Sequence, residues 1–443
     1  MPRFLRMCRI NCLRHTKTRR ATKNSPLENQ HEKHDAYAVL RVRDFRLFLS
    51  FRFFATIAFQ MQSIIVGWQV YQITRDPLSL GLIGLAEALP NIASALFAGN
   101  AADKYNRKKI IVMFMLFFTC GTLLLFLFSF PSLGILASVG VFPIYLVVMI
   151  SGISRSFLYP SIIALMAQLV PRRLYTNSST WNSMIWHIGA ITGPAIGGLV
   201  YGFFGVIAAY ISVLLFLFIS FILLVFVKNR PTPEILKVET LIQRLAGGLR
   251  FVFNNQILLG AMSLDMFGVL FGGAVAMLPV FAAEVLMVGP QGLGFLRAAP
   301  MAGAVIMGII LTYKPPMVKA GRYLFISVAG FGLSIILFAL SKNFYLSLGL
   351  LMMSGMFDNI SVVIRATAMQ LLTPDAMRGR VAAVNAIFIG SSNEIGSFES
   401  GLAAKLMGLI PSVIFGGGMT LLVVMFTSVF SPKLRSLNLR VIR

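Results

Sequence analysis

The chain is 443 residues long, 57% hydrophobic and only 12% charged, with a formal net charge of +24. Soluble domains carry about a quarter charged residues, so this composition excludes an ordinary soluble enzyme. Three cysteines without regular spacing exclude a disulfide framework.

Residues 1–44 read as a basic tail without an apolar core, hence not a cleavable signal peptide. Cys8, Cys12, His31 and His34 fall there in no common zinc spacing, and no metal site is expected. Apolar stretches of membrane-spanning length follow, at about 45–73, 79–101, 109–130, 142–168, 179–203 and 205–227. A polar stretch at 228–256 interrupts them. Six more follow, at about 257–283, 293–314, 322–341, 344–370, 380–408 and 411–431, and residues 432–443 are again basic. In lipid the backbone must satisfy its own hydrogen bonds, so about twelve helices are predicted: an all-α membrane protein with one bundle at 45–227 and another at 257–431. The bases collect in alternate loops, at 104–109, 172–173, 228–250, 314–322 and 378–380, and in both tails, while the intervening loops hold little beyond Arg75 and Lys342. That asymmetry accounts for the net charge without nucleic acid and places both termini in the cytoplasm.

The two halves resemble each other. A shift of 203 positions lays Met149–Gly152 on Met352–Gly355, Pro171 on Pro374, Asn182 on Asn385, Gly193 on Gly396 and Gly198 on Gly401, without a gap. A duplicated bundle places its substrate site between the repeats, near the bilayer midplane.

Between the second and third stretches stands "GNAADKYNRKK", with Gly99, Asp103, Lys104, Arg107 and Lys108 in the order G-x-x-x-D-[RK]-x-G-[RK]-[RK], except that Asn106 replaces the second glycine. Gly99 would let helices approach closely, Asp103 would face a helix N-terminus, and Asn106 would keep the turn by entering the left-handed region. The fifth stretch holds "GAITGPAIGG", in which Gly189, Gly193 and Gly197 share one helical face. Pro194 is expected to bend that helix, and Gly198 completes the motif. The first motif resembles the signature loop of the major facilitator superfamily, and the second its antiporter motif. The stretches at 84–109 and 372–404 resemble the bacterial enterobactin-exporter-like, or transmembrane secretion effector, subfamily. The resemblance implies the major facilitator fold, with the Gly99–Lys109 loop latching one end closed in one state, and a multi-pass protein of the bacterial cytoplasmic membrane.

Ionisable groups inside spans are expensive and functional by default. Glu87, Arg155, Asp265, Arg297, Asp358, Arg365, Glu394 and Glu399 all qualify. The resemblance implies that Arg155, Asp265, Asp358 and Arg365 face a central cavity. The repeat sets Arg155 on Asp358, and Arg365 follows Asp358 by seven on one helical face. Either arginine is expected to pair with Asp358, whose release would let it take a proton. Glu87 is the second proton-site candidate. Glu394 and Glu399 carry less weight, with Asn393 bonding a neighbouring helix and Glu399 capping or pairing with Lys405. His187 reads as a packed residue, and Phe157, Tyr159, Phe267 and Phe271 as possible cavity aromatics.

No phosphate-binding G-x-x-x-x-G-K-[ST], no H-E-x-x-H and no G-x-S-x-G is present, so neither ATP-driven pumping nor hydrolysis is indicated. The expected function is proton-coupled export of a small siderophore-like or drug-like molecule by alternating access, without a cofactor and as a monomer. An importer, or a non-transporting sensor or scaffold on the same fold, is the alternative.

Overall fold

The computed structural model describes residues 35, 37–230 and 241–440. Cys8, Cys12, His31 and His34 lie outside the described residues, as does the middle of the polar interruption. Among the described residues there are helices and turns but no strand.

The first long helices are α1 (Arg43–Thr74), α2 (Pro77–Lys104), α3 (Arg107–Phe128) and α4 (Phe142–Leu169). Tyr175–Phe226 follows as a single hydrogen-bonded run of 52 residues, broken at Gly205 by φ 80° and ψ 178°. Only glycine adopts that backbone readily, so the run is two helices, α5 before the break and α6 after it. Pro194 lies within α5 and does not end it. The turn comes from Gly205, which lacks the Cβ that would oppose it. The second set comprises α7 (Leu241–Asn254), α8 (Gln256–Phe271), α9 (Gly289–Tyr313), α10 (Ala320–Leu340), α11 (Phe344–Leu372), α12 (Arg378–Met407) and α13 (Leu409–Phe430). From α8 the chain continues through short turns into a π-helical segment, Phe281–Val285.

Ten runs are long and apolar enough to cross a membrane. One of them contains both α5 and α6, and α12 has the length but too many polar residues to be counted, which is consistent with twelve spans. α7 is an additional helix, in a stretch expected to be a plain polar linker. It docks on α12, where Val252 is buried with Val381 and Val384. The C-terminal segment is likewise no free tail as far as residue 440. Leu434, Leu437 and Leu439 are buried against α8 and α10, and Leu439 N–H donates to the Met317 carbonyl at 2.9 Å.

Buried polar side chains stitch α1 to its neighbours, as they must where no water is available. Gln62 Oε1 accepts from Thr122 at 2.6 Å while Nε2 donates to Ser151 at 3.4 Å. Gln69 does the same one heptad on, accepting from Tyr210 at 2.7 Å and donating to Ser129 at 3.0 Å. The repeat-related glycines do equivalent work. A Cβ at Gly193 would sit 2.7 Å from Gln60 of α1, and one at Gly396 would sit 3.0 Å from the Leu270 Cα of α8. Gly198 and Gly401 instead face the opposite half.

Candidate functional site

Those last two glycines mark where the halves close. A Cβ at Gly198 would lie 2.8 Å from the Cα of Gly294 on α9, and one at Gly401 would lie 2.8 Å from the Cα of Gly81 on α2. Small residues allow this backbone contact, and side chains reinforce it at the same end. Lys405 pairs with Asp76 at 3.0 Å, and the Tyr71 hydroxyl donates to Glu284 in the π-helical segment. Lys405 is therefore not the partner expected for Glu399. Toward the other end α2 and α12 part. Cβ atoms at Gly99, Gly379 and Gly390 would meet nothing within 4 Å. Gly99 thus stands in open space, not in the close approach its motif suggests, because the bundle is open at the end that carries the motif.

Between the halves lies a cavity of about 600 Å³. Its ionisable lining is Glu87 from α2, Arg155 from α4, Arg297 from α9, Asp358 from α11 and Glu394 from α12. Arg155 Nη1 pairs with Glu87 at 2.5 Å, not with Asp358. The glutamate lies on the adjacent helix of the same half, whereas Asp358 faces from the opposite wall. Arg297 Nη1 donates to the Val275 carbonyl at 3.0 Å and lies within electrostatic reach of Glu394 and Glu87. Glu394 in turn feels Glu87, Arg155 and Arg297, so four charged groups from both halves form one network.

Arg365 pairs with Asp265, again not with Asp358, and both side chains are buried away from the main cavity, at 6% and 7% exposure. The expectation that these two face the cavity is corrected: one heptad from Asp358, Arg365 is turned toward α8. The spacing of Glu394 to Glu399 matches no helical face, yet α12 packs along α2 and brings Glu394 into the cavity with Glu87. Asn393 bonds the Ile389 carbonyl of its own helix at 2.9 Å, not a neighbour. The aromatic lining is Trp186 and Phe331, not the four residues expected. Phe157 stacks on Phe114 at 4.1 Å instead. His187 Nδ1 contacts Met301 Sδ at 3.0 Å across the halves.

The signature loop is bound to its own half. Asn106 has φ −63°, not a left-handed value, and its side chain caps α3 by accepting from Lys109 N–H at 3.2 Å. A capping residue with this geometry serves where the motif has glycine. Its Nδ2 also donates to the Arg230 carbonyl at 3.0 Å. Lys108 Nζ donates to the carbonyls of Val225 and Val227 at 2.8 and 2.6 Å, at the negative end of α6. Arg107 reaches the Ala102 carbonyl at 3.3 Å and the Ala164 carbonyl at 3.5 Å, while Lys104 is exposed. The Asp103 side chain lies outside the described set. Asn106→Ala is expected to cost about 1 kcal/mol of stability in thermal unfolding, and Asn106→Gly only a few tenths.

Helices of membrane length, a charged cavity between two sets of them and a single open end define a membrane transporter. The chain belongs to the transmembrane secretion effector family of major facilitator transporters, whose description matches residues 34–440. Among curated proteins it is 25% identical over 340 residues to the enterobactin exporter EntS of Shigella flexneri, covering 76% of this chain and 79% of that protein. EntS of Escherichia coli O1:K1 / APEC gives the same figures. The fold is that of a bacterial homolog of the human lysosomal transporter Spinster, solved inward-facing and unoccupied, with a TM-score of 0.68 and 14% identity over 90% of this chain and 98% of the other. A bacterial homologue of the iron transporter ferroportin, solved in the inward-facing state, superposes with a TM-score of 0.67 and 15% identity, covering 90% of this chain and 100% of the other.

Proposed function

We propose that this protein exports a small organic molecule across the bacterial cytoplasmic membrane by alternating access, driven by proton entry. The observation that carries the reading is the cavity of about 600 Å³ with five ionisable side chains, sealed at one end by glycine contacts between the halves. The basic loops lie at the open end, so this is the state that loads from the cytoplasm, with both termini on that side. Rocking of residues 45–227 against 257–431 would part Gly198 from Gly294 and Gly81 from Gly401 and close the gap at Gly99. In that state the Gly99–Lys109 loop would latch the cytoplasmic end. The Gly189–Gly198 motif favours export over import, and a sensor that transports nothing has no use for five charged groups in its core. The enterobactin exporters among its relatives point to siderophore-like or drug-like substrates, and the Trp186 and Phe331 rings beside charged groups suit an amphipathic molecule.

Substrate and proton must each prefer one state for coupling to occur. Asp358 is the leading proton site, and Glu87, which pairs with Arg155, and Glu394, which lines the same cavity, are the alternates. No cofactor is required, and a monomer suffices. The test is proton leak in inverted vesicles, read by acidification-dependent dye quenching, on adding siderophores, macrolides or lipophilic cations. At least one class is expected to evoke a leak that Asp358→Asn abolishes. A leak that survives in Asp358→Asn but is lost in Glu394→Gln would move the coupling site to the network of Glu87, Arg155, Arg297 and Glu394. Absence of any leak with all three classes, in vesicles holding verified protein, would count against proton-driven export.

A further inference from the structure

Beside the main cavity, between α8, α10 and α11, lies a crevice of about 10 Å³ walled by Asp265, Gly268, Val328, Phe331, Asp358 and Ser361. It has room for one particle the size of a water molecule. Asp358, Val269 and Phe331 line both spaces, so the crevice adjoins the cavity. Asp265 gives Oδ2 to Arg365, which leaves Oδ1 free. Asp358 has neither an ion pair nor a hydrogen bond among the described residues, and the charges acting on it are those of Asp265 and Arg365. α10 contributes only Val328 and Phe331 to this wall. Two carboxylates therefore face one guanidinium, and Asp358, partly buried at the edge of the main cavity, is left without a partner among the described residues.

Ser361 supplies an independent sign. It is 2% exposed, and its Oγ has no hydrogen-bond partner. The other two buried serines on this helix are both satisfied, Ser354 by the Leu351 carbonyl at 2.7 Å and Ser347 by the Ser341 hydroxyl at 2.9 Å. Ser361 alone leaves its hydroxyl without a partner, at the crevice wall. A buried hydroxyl without a partner is destabilising, as is an unpaired carboxylate at membrane depth. A single positive charge in the crevice would relieve both, whereas a divalent ion would overshoot.

We propose that this crevice is a monovalent-cation site, taking a sodium ion or a proton carried on water, held by Asp358, Asp265 Oδ1 and the Ser361 hydroxyl. It rests on the reading of the chain as a secondary exporter, for which it supplies the coupling ion's place. Its charged groups lie on α8 and α11, both of one half. The network of Glu87, Arg155, Arg297 and Glu394 spans both halves and changes shape.

The site can be read without any transported compound. The thermal midpoint of the purified full-length protein would be followed by tryptophan fluorescence while NaCl replaces choline chloride at constant ionic strength, at pH 5.5 and 8.5. A ligand that binds only the folded state raises the midpoint saturably. A sodium-dependent rise at pH 8.5 identifies sodium, and a rise on acidification without a sodium effect identifies the proton. In either case Asp358→Asn is expected to abolish the dependence. It should also melt no lower than wild type at pH 8.5 without sodium, since it removes the unpaired carboxylate. Ser361→Ala should weaken apparent sodium affinity roughly tenfold, or displace the pH midpoint in the proton case. Identical sodium and pH responses in wild type and Asp358→Asn would overturn the proposal. Should Asp358→Asn not fold, an unchanged response in Ser361→Ala would overturn it. Export that persists while the cation response is absent refutes the site alone. A cation response without export refutes the transport reading alone.

Discussion

Arg365→Gln is expected to lose about 3–5 kcal/mol of stability, the cost of leaving a buried charge without its partner. Its guanidinium and the Asp265 carboxylate are both more than nine-tenths buried, so water cannot take over when one is removed. The loss is aggravated because Asp358 lies within electrostatic reach, so two carboxylates would share a site with no cation. Asp265→Asn/Arg365→Gln should recover most of the loss, because a neutral pair can hydrogen-bond without charge. Unfolding in detergent, arranged as a double-mutant cycle, measures this directly. Lys405→Ala provides the contrast. Its pair with Asp76 is exposed to 50% and 33%, and its removal should change stability by no more than about 1 kcal/mol. Equal losses for Arg365→Gln and Lys405→Ala would show that burial does not govern these pairs.

The helices were legible because hydrocarbon forces a long apolar run to be helical whatever its neighbours do. The break near residue 204 was legible from the length of the apolar run, but a glycine carries no sign of its backbone angle, so Gly205 as its cause was not. The glycines at 193, 198, 396 and 401 could be found by the internal repeat, because close backbone approach imposes one residue type at equivalent places. Which charges pair could not be found that way. Spacing along α11 sets Asp358 and Arg365 on one face, but α8 takes Arg365 and leaves Asp358 alone. Glu394 reached the network through the packing of α12 on α2, a contact between residues distant in sequence. Asn106 shows the opposite error. Asparagine in a glycine position suggests a left-handed backbone, but its ordinary role as a helix cap accounts for it.

A disulfide across the sealed end should stop transport altogether and release it on reduction. A Cβ built on Gly84 lies 2.7 Å from the Ser397 Cβ, across the boundary between α2 and α12. Disulfides hold Cβ atoms about 3.8 Å apart, so Gly84→Cys/Ser397→Cys needs the helices to ease by about 1 Å, and oxidation would then tie that end shut. With Cys8, Cys12 and Cys120 replaced, no other thiol competes. Gly99→Cys, introduced with the pair, reports the other end, since a Cβ there meets nothing within 4 Å. In the oxidised protein it should label rapidly with a bulky maleimide and stay labelable when substrate or a proton gradient is applied. After reduction the same treatments should slow the labelling, because the states that protect Gly99 become reachable. Loss of transport with continued labelling would make the α2–α12 contact a gate whose opening is obligatory. Continued transport by the fully oxidised protein would show that the sealed end never opens along this boundary, and the α5–α9 contact at Gly198 and Gly294 would have to part alone. That is mechanically awkward, because α5 and α2 belong to the same half, and α1, stitched to α3, α4 and α6 through Gln62 and Gln69 and packed on α5 through Gly193, makes independent motion of α5 costly.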